Sequence, residues 1–490
     1  LLRTLHVESG DSQFIALCQS QNELTLFRQS VLRTPKSVYQ WDSRAMSHAI
    51  SSHPCAGLIG EIFVPGDKSI SHRSLILGGL ATGTSHIDGL LEGEDVLATA
   101  AAMRALGASV ERLDCGRWQV TGNGLGGLHE PEDVLDLGNS GTATRLLMGI
   151  IAGHPMTAMM TGDHSLRSRP MQRVITPLEM MGAKFVCRSG GRPPLSIIGT
   201  ADGRPQSYTL PVASAQVKSA ILLMGLTIAG ETSVIEPHAT RDHTETMLRA
   251  MGATVTVAET PSGERRITLV GQPELQATDF LVPGDPSSAA FPTVAALITD
   301  GSDVTIKNIC TNPLRFGLFQ TLIEMGGDIS LLNPRTIGGE PIADIRVRSS
   351  QLHGIEVPAK RAPSMIDEYP ILAVAAAHAN GDTKMQGLAE LRVKESDRLA
   401  ATATGLRAIG ALVDEGADSL TVRAGGNFRG GATIAANLDH RMAMAFVVAG
   451  MRTAQPVTID DARTIDTSFP GFSALMNGLG AKIETGLVSA

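Results

Sequence analysis

The chain has 490 residues, 43% of them hydrophobic and only 3% aromatic, with a formal net charge of −8. This is globular composition, long enough for two or three domains with cores of their own; it offers neither a basic field for phosphate backbones nor rings for stacking bases, so nucleic acid is not an expected partner. Apolar runs such as "AILLMGLTIAG" (220–230) stop short of the roughly 20 residues a membrane span needs, and no membrane association is expected.

In chain order, residues 1–45 come first: Leu1 opens the segment, no methionine occurs before Met46, and acids mix with scattered arginines without the apolar core of a secretory signal. They read as an appended, disordered leader. The five cysteines, Cys18, Cys55, Cys115, Cys187 and Cys310, are far apart and form no C-x-x-C pair, which predicts no metal site and fits a reducing, cytoplasmic setting.

From Met103 onward one pattern recurs: a helical run, a glycine, then a strand-like start. It reads "MRALGASV", "LEMMGAKF", "LRAMGATV", "IEMGGDI", "LRAIGALV" and "MNGLGAKI", with glycines at Gly107, Gly182, Gly252, Gly326, Gly410 and Gly480, 70 to 84 residues apart. Glycine just past a helix end accepts the left-handed conformation that stops it. Six such junctions predict six repeated α/β units. "VPGDKS" at Val64 and "VPGDPSS" at Val282 recur 218 residues apart, so the chain reads as two halves of three units, with a Pro-Gly turn where it crosses between domains. Ordinary turns would look the same.

Between these junctions lie polar clusters at predicted helix starts. "PGDKSISHRS" (65–74) places Lys68 beside a start that Ser69 or Ser71 can cap, with Ser69 and Arg73 one turn apart; an unpaired helix N-terminus suits an anion. "LGNSGTATRLL" (137–147) offers Asn139, Ser140 and Thr142 as small donors, Gly141 for close approach, and Arg145. "SLRSRPMQR" (165–173) brings Arg167, Arg169 and Arg173. "ASAQVKS" (213–219) brings Ser214, Gln216 and Lys218, and "TRDHTE" (240–245) adds Arg241. In the second half, Asp367 and Glu368 of "SMIDEYP" precede an apolar run, and burial there predicts a raised carboxyl pKa fit for a general base. "ELRVKESDRLAA" (390–401) sets Lys394 and Arg398 four apart as on a helix, beside Glu395 and Asp397, and "DHRMAMAF" opens with Asp439, His440 and Arg441. Any one cluster could be a capped surface helix. An acidic chain that gathers its cations at helix starts points to a small polyanion, a phosphate or carboxylate, and to more than one of them.

Taken together, "PGDKSISHRS", "GNSGTATR", "SAQVKSA", "DEYPILAVAAA", "ELRVKESDRL" and "DHRMAMAF" resemble the 5-enolpyruvylshikimate-3-phosphate synthases, the 3-phosphoshikimate 1-carboxyvinyltransferases of the shikimate pathway, over about residues 58–483. The resemblance implies an inside-out α/β barrel of two similar domains, each of three βαβαββ units: residues 66–281, and residues 46–65 with 282–490. It implies a monomer without cofactor that transfers the carboxyvinyl group of phosphoenolpyruvate to the 5-hydroxyl of shikimate 3-phosphate. Two anions in one cleft repel unless a cationic lining offsets the cost, so the domains are expected to be open without ligand and to close on it. Carried over by motif, Lys68, Ser69 and Arg73 touch both ligands, while Ser214, Ala215, Gln216 and Arg241 hold the shikimate phosphate. Asn139, Gly141, Thr142, Arg169, Gln216, Arg398 and Arg441 surround phosphoenolpyruvate, and Lys394 binds the hydroxyl side. Asp367 takes the hydroxyl proton; Glu395 or Lys68 delivers one to the methylene carbon.

This chain departs from the family pattern at Thr467, where many relatives have lysine. Glyphosate is a candidate inhibitor, although "RDHTE", "GDKS" and "SAQVK" resemble the glyphosate-insensitive class. Two other readings compete. The sister transferase acting on UDP-N-acetylglucosamine has Lys-Asn where this chain has Lys68-Ser69, and cysteine where "HSLRSRP" begins with His164. A protein that only binds a phosphorylated metabolite would leave Asp367 and Glu395 dispensable.

Overall fold

The structure, a computed structural model, describes residues 48–485. The expected leader lies outside the described residues. So do residues 46–47 and 486–490 of the second expected domain.

Each predicted glycine junction is a real one: Gly107, Gly182, Gly252, Gly326, Gly410 and Gly480 all have φ between 89° and 118°, which only glycine adopts without strain. Each follows the last helix of a unit and turns the chain into a strand, as Gly182 does between the helix Gln172–Met180 and the strand Lys184–Arg188. The strands form six four-stranded sheets of one design. A short edge strand runs parallel to its neighbour, and a hairpin follows antiparallel, so the unit beginning at Leu135–Asp136 orders its strands first, second, fourth, third. Helices separate the first three strands, giving βαβαββ.

Two units are completed from a distance. Phe280–Leu281 pairs with Thr82–Asp88, and the N-terminal strand Ile50–His53 inserts between Val457–Ile459 and Lys482–Thr485.

The first helix of every unit is buried nearly all round: Lys68–Leu80, Gly141–Ala152 and Ala215–Gly225, then Pro286–Ile298, Tyr369–Ala377 and His440–Gly450. Sequences such as "YPILAVAAA", apolar on every face, can only be satisfied inside. The helices therefore form the interior and the sheets the outside, an inside-out α/β barrel in two lobes. One apolar core runs from Ile70 to Val282; the other takes Ile50 to Val64 and Ala289 to Ile483.

The chain crosses between the lobes twice, and the crossings are bonded to each other. Gly66 bridges Gly284, the Asp67 amide donates to the Pro283 carbonyl at 2.7 Å, and the Asp285 amide to the Pro65 carbonyl at 2.9 Å. The cap of the first helix is Asp67, whose carboxylate accepts from the Ile70 amide, not Ser69 or Ser71. A carboxylate is the stronger acceptor at a helix N-terminus, and Ser71 is instead buried, accepting from the Leu91 amide. Lys68, expected outside the helix, is its first residue.

The central helices of the first lobe meet at backbone distance: a Cβ on Gly149 would stand 2.3 Å from the Ala220 carbonyl oxygen. Gly149→Ala is expected to destabilise by about 1–3 kcal/mol through overpacking. By contrast Gly478→Ala, with nothing within 4 Å of the added carbon and φ in the ordinary range, is expected to be neutral or stabilising by about 0.4–1 kcal/mol. Urea unfolding midpoints of the two variants check the contrast.

Candidate active site

All six central helices start at one place. Their N-terminal residues, among them Lys68, Thr142, Gln216, Asp285, Asp367 and Arg441, line a cavity of about 600 Å³ between the lobes. The N-caps Asp67, Ser140, Ser214, Asp285 and Asp439 each accept a backbone amide with the side chain, which fixes where the next residues stand.

Asp367 is the centre of the charge network. Lys394 Nζ and Arg398 Nη1 lie 3.1 and 3.0 Å from its Oδ1, Arg241 Nη2 pairs with its Oδ2, and Arg441 Nη1 donates to its backbone carbonyl. Burial alone would raise its carboxyl, but Lys394, Arg241, Arg441 and Arg398 hold it well below the usual carboxylate range. The raised pKa expected for Asp367 is thus corrected, because burial here comes with more cations than acids. Glu395 behaves alike: Arg398, Arg169 and Lys394 overcome burial and keep it well below its ordinary value. His440 is held neutral by burial and by Lys68, Arg441 and Arg398.

Arg398 is almost wholly enclosed, at 1% side-chain exposure, and is shared by Asp439, Glu395 and Asp367. Its helix begins at Arg398 with Asp397 as cap, so Lys394 stands in the preceding loop rather than one turn back on the same helix. Opposite, Gln216 links Thr142 and Arg145: its Nε2 donates to Thr142 Oγ1 at 2.9 Å and its Oε1 accepts from Arg145 at 3.0 Å. A Cβ on Gly141 would press on the Arg145 and Arg169 guanidiniums, 2.7 and 2.9 Å away. Burial and the neighbouring Arg169 and Arg173 push Arg145 down to about 10, so it stays charged at neutral pH.

Of the residues singled out from sequence, Lys68, Ser69, Gly141, Thr142, Arg169, Ser214, Ala215, Gln216, Arg241, Asp367, Lys394, Glu395, Arg398 and Arg441 line the cavity. Arg73 and Asn139 do not. Arg73 is buried against Thr244, Ser219 and the Ser69 carbonyl, and Asn139 accepts from Arg169 while donating to Asp163, so each steadies a lining residue. Lys218, counted among the anion-binding cations, is fully buried between Glu236 and Glu245. Thr467 donates to the Thr464 carbonyl and is not among the lining residues. Asp95, which pairs with Lys68, and the buried Arg315 were not singled out; their partners lie 27 or more positions away, where no spacing rule reaches.

Ion pairs bridge the cleft in this structure. Arg241–Asp367, Arg169–Glu395 and Arg173–Glu390 all join one lobe to the other, because the first lobe presents arginines where the second presents acids.

Residues 53–476 match the family model described as EPSP synthase (3-phosphoshikimate 1-carboxyvinyltransferase). The chain belongs to that family. A 3-phosphoshikimate 1-carboxyvinyltransferase of Paramagnetospirillum magneticum is 63% identical over 440 residues, covering 90% of this chain and 99% of the relative. The solved EPSP synthase of Acinetobacter baumannii has 46% identity and a TM-score of 0.79, covering 89% of this chain and 99% of that one. The enolpyruvyl transferase NikO from Streptomyces tendae, 17% identical with a TM-score of 0.72 over the same 89% of this chain and 99% of its own, shares the fold. Family membership makes the chain a transferase of the shikimate pathway, with shikimate 3-phosphate and phosphoenolpyruvate as the family's substrates.

Because Asp367 is depressed in the folded state, its ionised form stabilises the fold fully above the unfolded aspartate value near 4 and loses that contribution as pH falls through the folded value. The stability gap between the wild type and Asp367→Asn should therefore narrow below about pH 4. Urea melts at stepped pH read it; a gap that widens on acidification would contradict the ion pairing.

Proposed function

We propose that this cleft joins shikimate 3-phosphate and phosphoenolpyruvate with the side chains named above in separate roles. The observation that carries the reading is Asp367, a half-buried carboxylate ringed by Lys394, Arg398 and Arg241, with Arg441 on its carbonyl, at the meeting point of both lobes.

Two anions repel each other, and only a cationic lining offsets the cost of bringing them into one low-dielectric space. Ser214, Ala215, Gln216 and Arg241 hold the shikimate phosphate. Thr142, Arg169, Arg398 and Arg441 take phosphoenolpyruvate, with Gly141 leaving room for it. Lys68 and Ser69 stand between, and Lys394 meets the hydroxyl. Arg73 and Asn139 serve through Ser69 and Arg169.

The ligands also tune the base. As Arg241 turns to one phosphate and Arg398 and Arg441 to the other ligand, Asp367 loses the cations that depress it, and its affinity for a proton rises towards what abstraction requires. Asp367 then takes the proton of the 5-hydroxyl as that oxygen bonds to C2 of phosphoenolpyruvate. A proton reaches C3 from Glu395 or Lys68, giving a tetrahedral adduct. In the second half C3 returns a proton, the C2–O bond to phosphate breaks, and the guanidiniums meet the leaving charge. Glu395 is a carboxylate in the present arrangement, so its part as donor requires that ligand binding first relieve it of Arg398 or Arg169.

Residues 66–281 and 46–65 with 282–490 are the two domains of this reading, supported by their separate cores and the paired crossings. A monomer in a reducing cytoplasm, as expected from the sequence, belongs to the same reading. Glyphosate, itself a small anion, would compete for the phosphoenolpyruvate cations.

Asp367→Asn is expected to bind shikimate 3-phosphate within about threefold of wild type and to lose at least 100-fold in turnover, the range of a general base. Calorimetric titration and product formation measured on the same preparation check it. Full turnover by the variant would remove Asp367 from the chemistry.

A further inference from the structure

Arg315 has only 4% of its side chain exposed and stands at the point where the two crossings are bonded together. Its Nη2 donates to Asp67 Oδ2 at 3.3 Å, to Asp285 Oδ1 at 2.8 Å and to Ser287 Oγ at 3.0 Å. Asp67 and Asp285 are the equivalent residues of the two "VPGD" crossings, and each caps the first central helix of its lobe. The Lys68 amide also donates across the crossing to Asp285 Oδ2 at 3.3 Å. One guanidinium thus holds both helix starts.

The network continues towards the site. Ser287 Oγ donates to Glu368 Oε1, the same oxygen lies 3.2 Å from Arg441 Nη1, and Glu368 is the chain neighbour of Asp367. We propose that Arg315 is a positioning residue for the transfer reaction, joining the two crossings into one pivot and setting Arg441 and Asp367 through Ser287 and Glu368. The inference rests on the functional reading above.

Arg315 borders the cavity, and the three acceptors that its Nη2 meets are all protein atoms. Without it Asp67 and Asp285, two buried like charges, face each other with no cation between them. The lobes would then separate or rotate, and Arg441 would lose its fixed distance to Asp367. A displacement of about 1 Å at reacting groups costs on the order of 100-fold in rate.

The variants Arg315→Ala, Arg315→Lys and Ser287→Ala in the full chain test this. Wild-type turnover is measured first: absence of product counts against the functional reading, whereas the scattering profiles below still read the pivot. Arg315→Ala is expected to lower kcat about 10- to 100-fold and raise KM for phosphoenolpyruvate, with shikimate 3-phosphate affinity within about threefold, since that ligand is held by the first lobe. Arg315→Lys, which keeps one cation for two carboxylates, should recover part of the loss. With both ligands, the alanine variant should keep a larger radius of gyration in small-angle scattering than wild type. If Arg315→Ala does not fold, Ser287→Ala, which cuts the relay and leaves the Asp67 and Asp285 pairs, should lower kcat several-fold. The proposal is overturned by wild-type kcat and KM in a folded Arg315→Ala variant, whatever its melting temperature. It is equally overturned if shikimate 3-phosphate affinity falls as much as kcat/KM, which would make Arg315 a ligand contact, or if Ser287→Ala is kinetically unchanged.

Discussion

A single enclosed guanidinium, Arg398, shared by Asp439, Glu395 and Asp367, is the interaction on which the rest of the cleft depends. Burying a cation of this kind is costly unless its donors are met, and here three carboxylates overcome burial and keep its pKa above the ordinary arginine value. Asp439 caps one central helix and Asp367 immediately precedes another, so this ion cluster registers the helix starts of the second lobe with each other. Remove Arg398 and three acids stand together in a space that cannot solvate them. Breaking such a buried cluster costs about 3–5 kcal/mol.

The two lobes use opposite sides of the same electrostatics. Arg241, Arg169 and Arg173 from the first meet Asp367, Glu395 and Glu390 from the second. These pairs close the cleft, and they involve groups that anionic ligands would compete for. In the proposed function, an entering phosphate that takes Arg241 releases Asp367, so binding and activation of the base become one event. The helix N-termini add to this, since six of them converge on the cavity and each carries partial positive charge.

Much of this was legible in the sequence because it is local. A glycine after a helical run fixes a helix end by its own backbone, and six of them announced the repeated units; the "VPGD" pair announced the crossings. Clusters such as "GNSGTATR" could be placed on helix starts because capping is a matter of three residues. What could not be read was any pairing between distant segments. Lys218 looks like a ligand cation until Glu236 and Glu245 are seen around it, and Arg73 until Ser219 and Thr244 take its donors. The direction of the Asp367 shift failed for the same reason: its apolar neighbours are adjacent in sequence, whereas Arg241 and Arg398 are 126 and 31 residues away. Resemblance supplied the roles; geometry showed which side chains reach the cavity and which hold the others.

The most direct measurement is the stoichiometry of the reaction itself. The wild-type chain is mixed with shikimate 3-phosphate and phosphoenolpyruvate, phosphate release is followed, and the enolpyruvyl product is quantified by mass spectrometry. One phosphate for each product molecule, with none released when shikimate 3-phosphate is withheld, is the predicted result. A folded protein that binds shikimate 3-phosphate and yields no product, or that releases phosphate without it, would contradict the account.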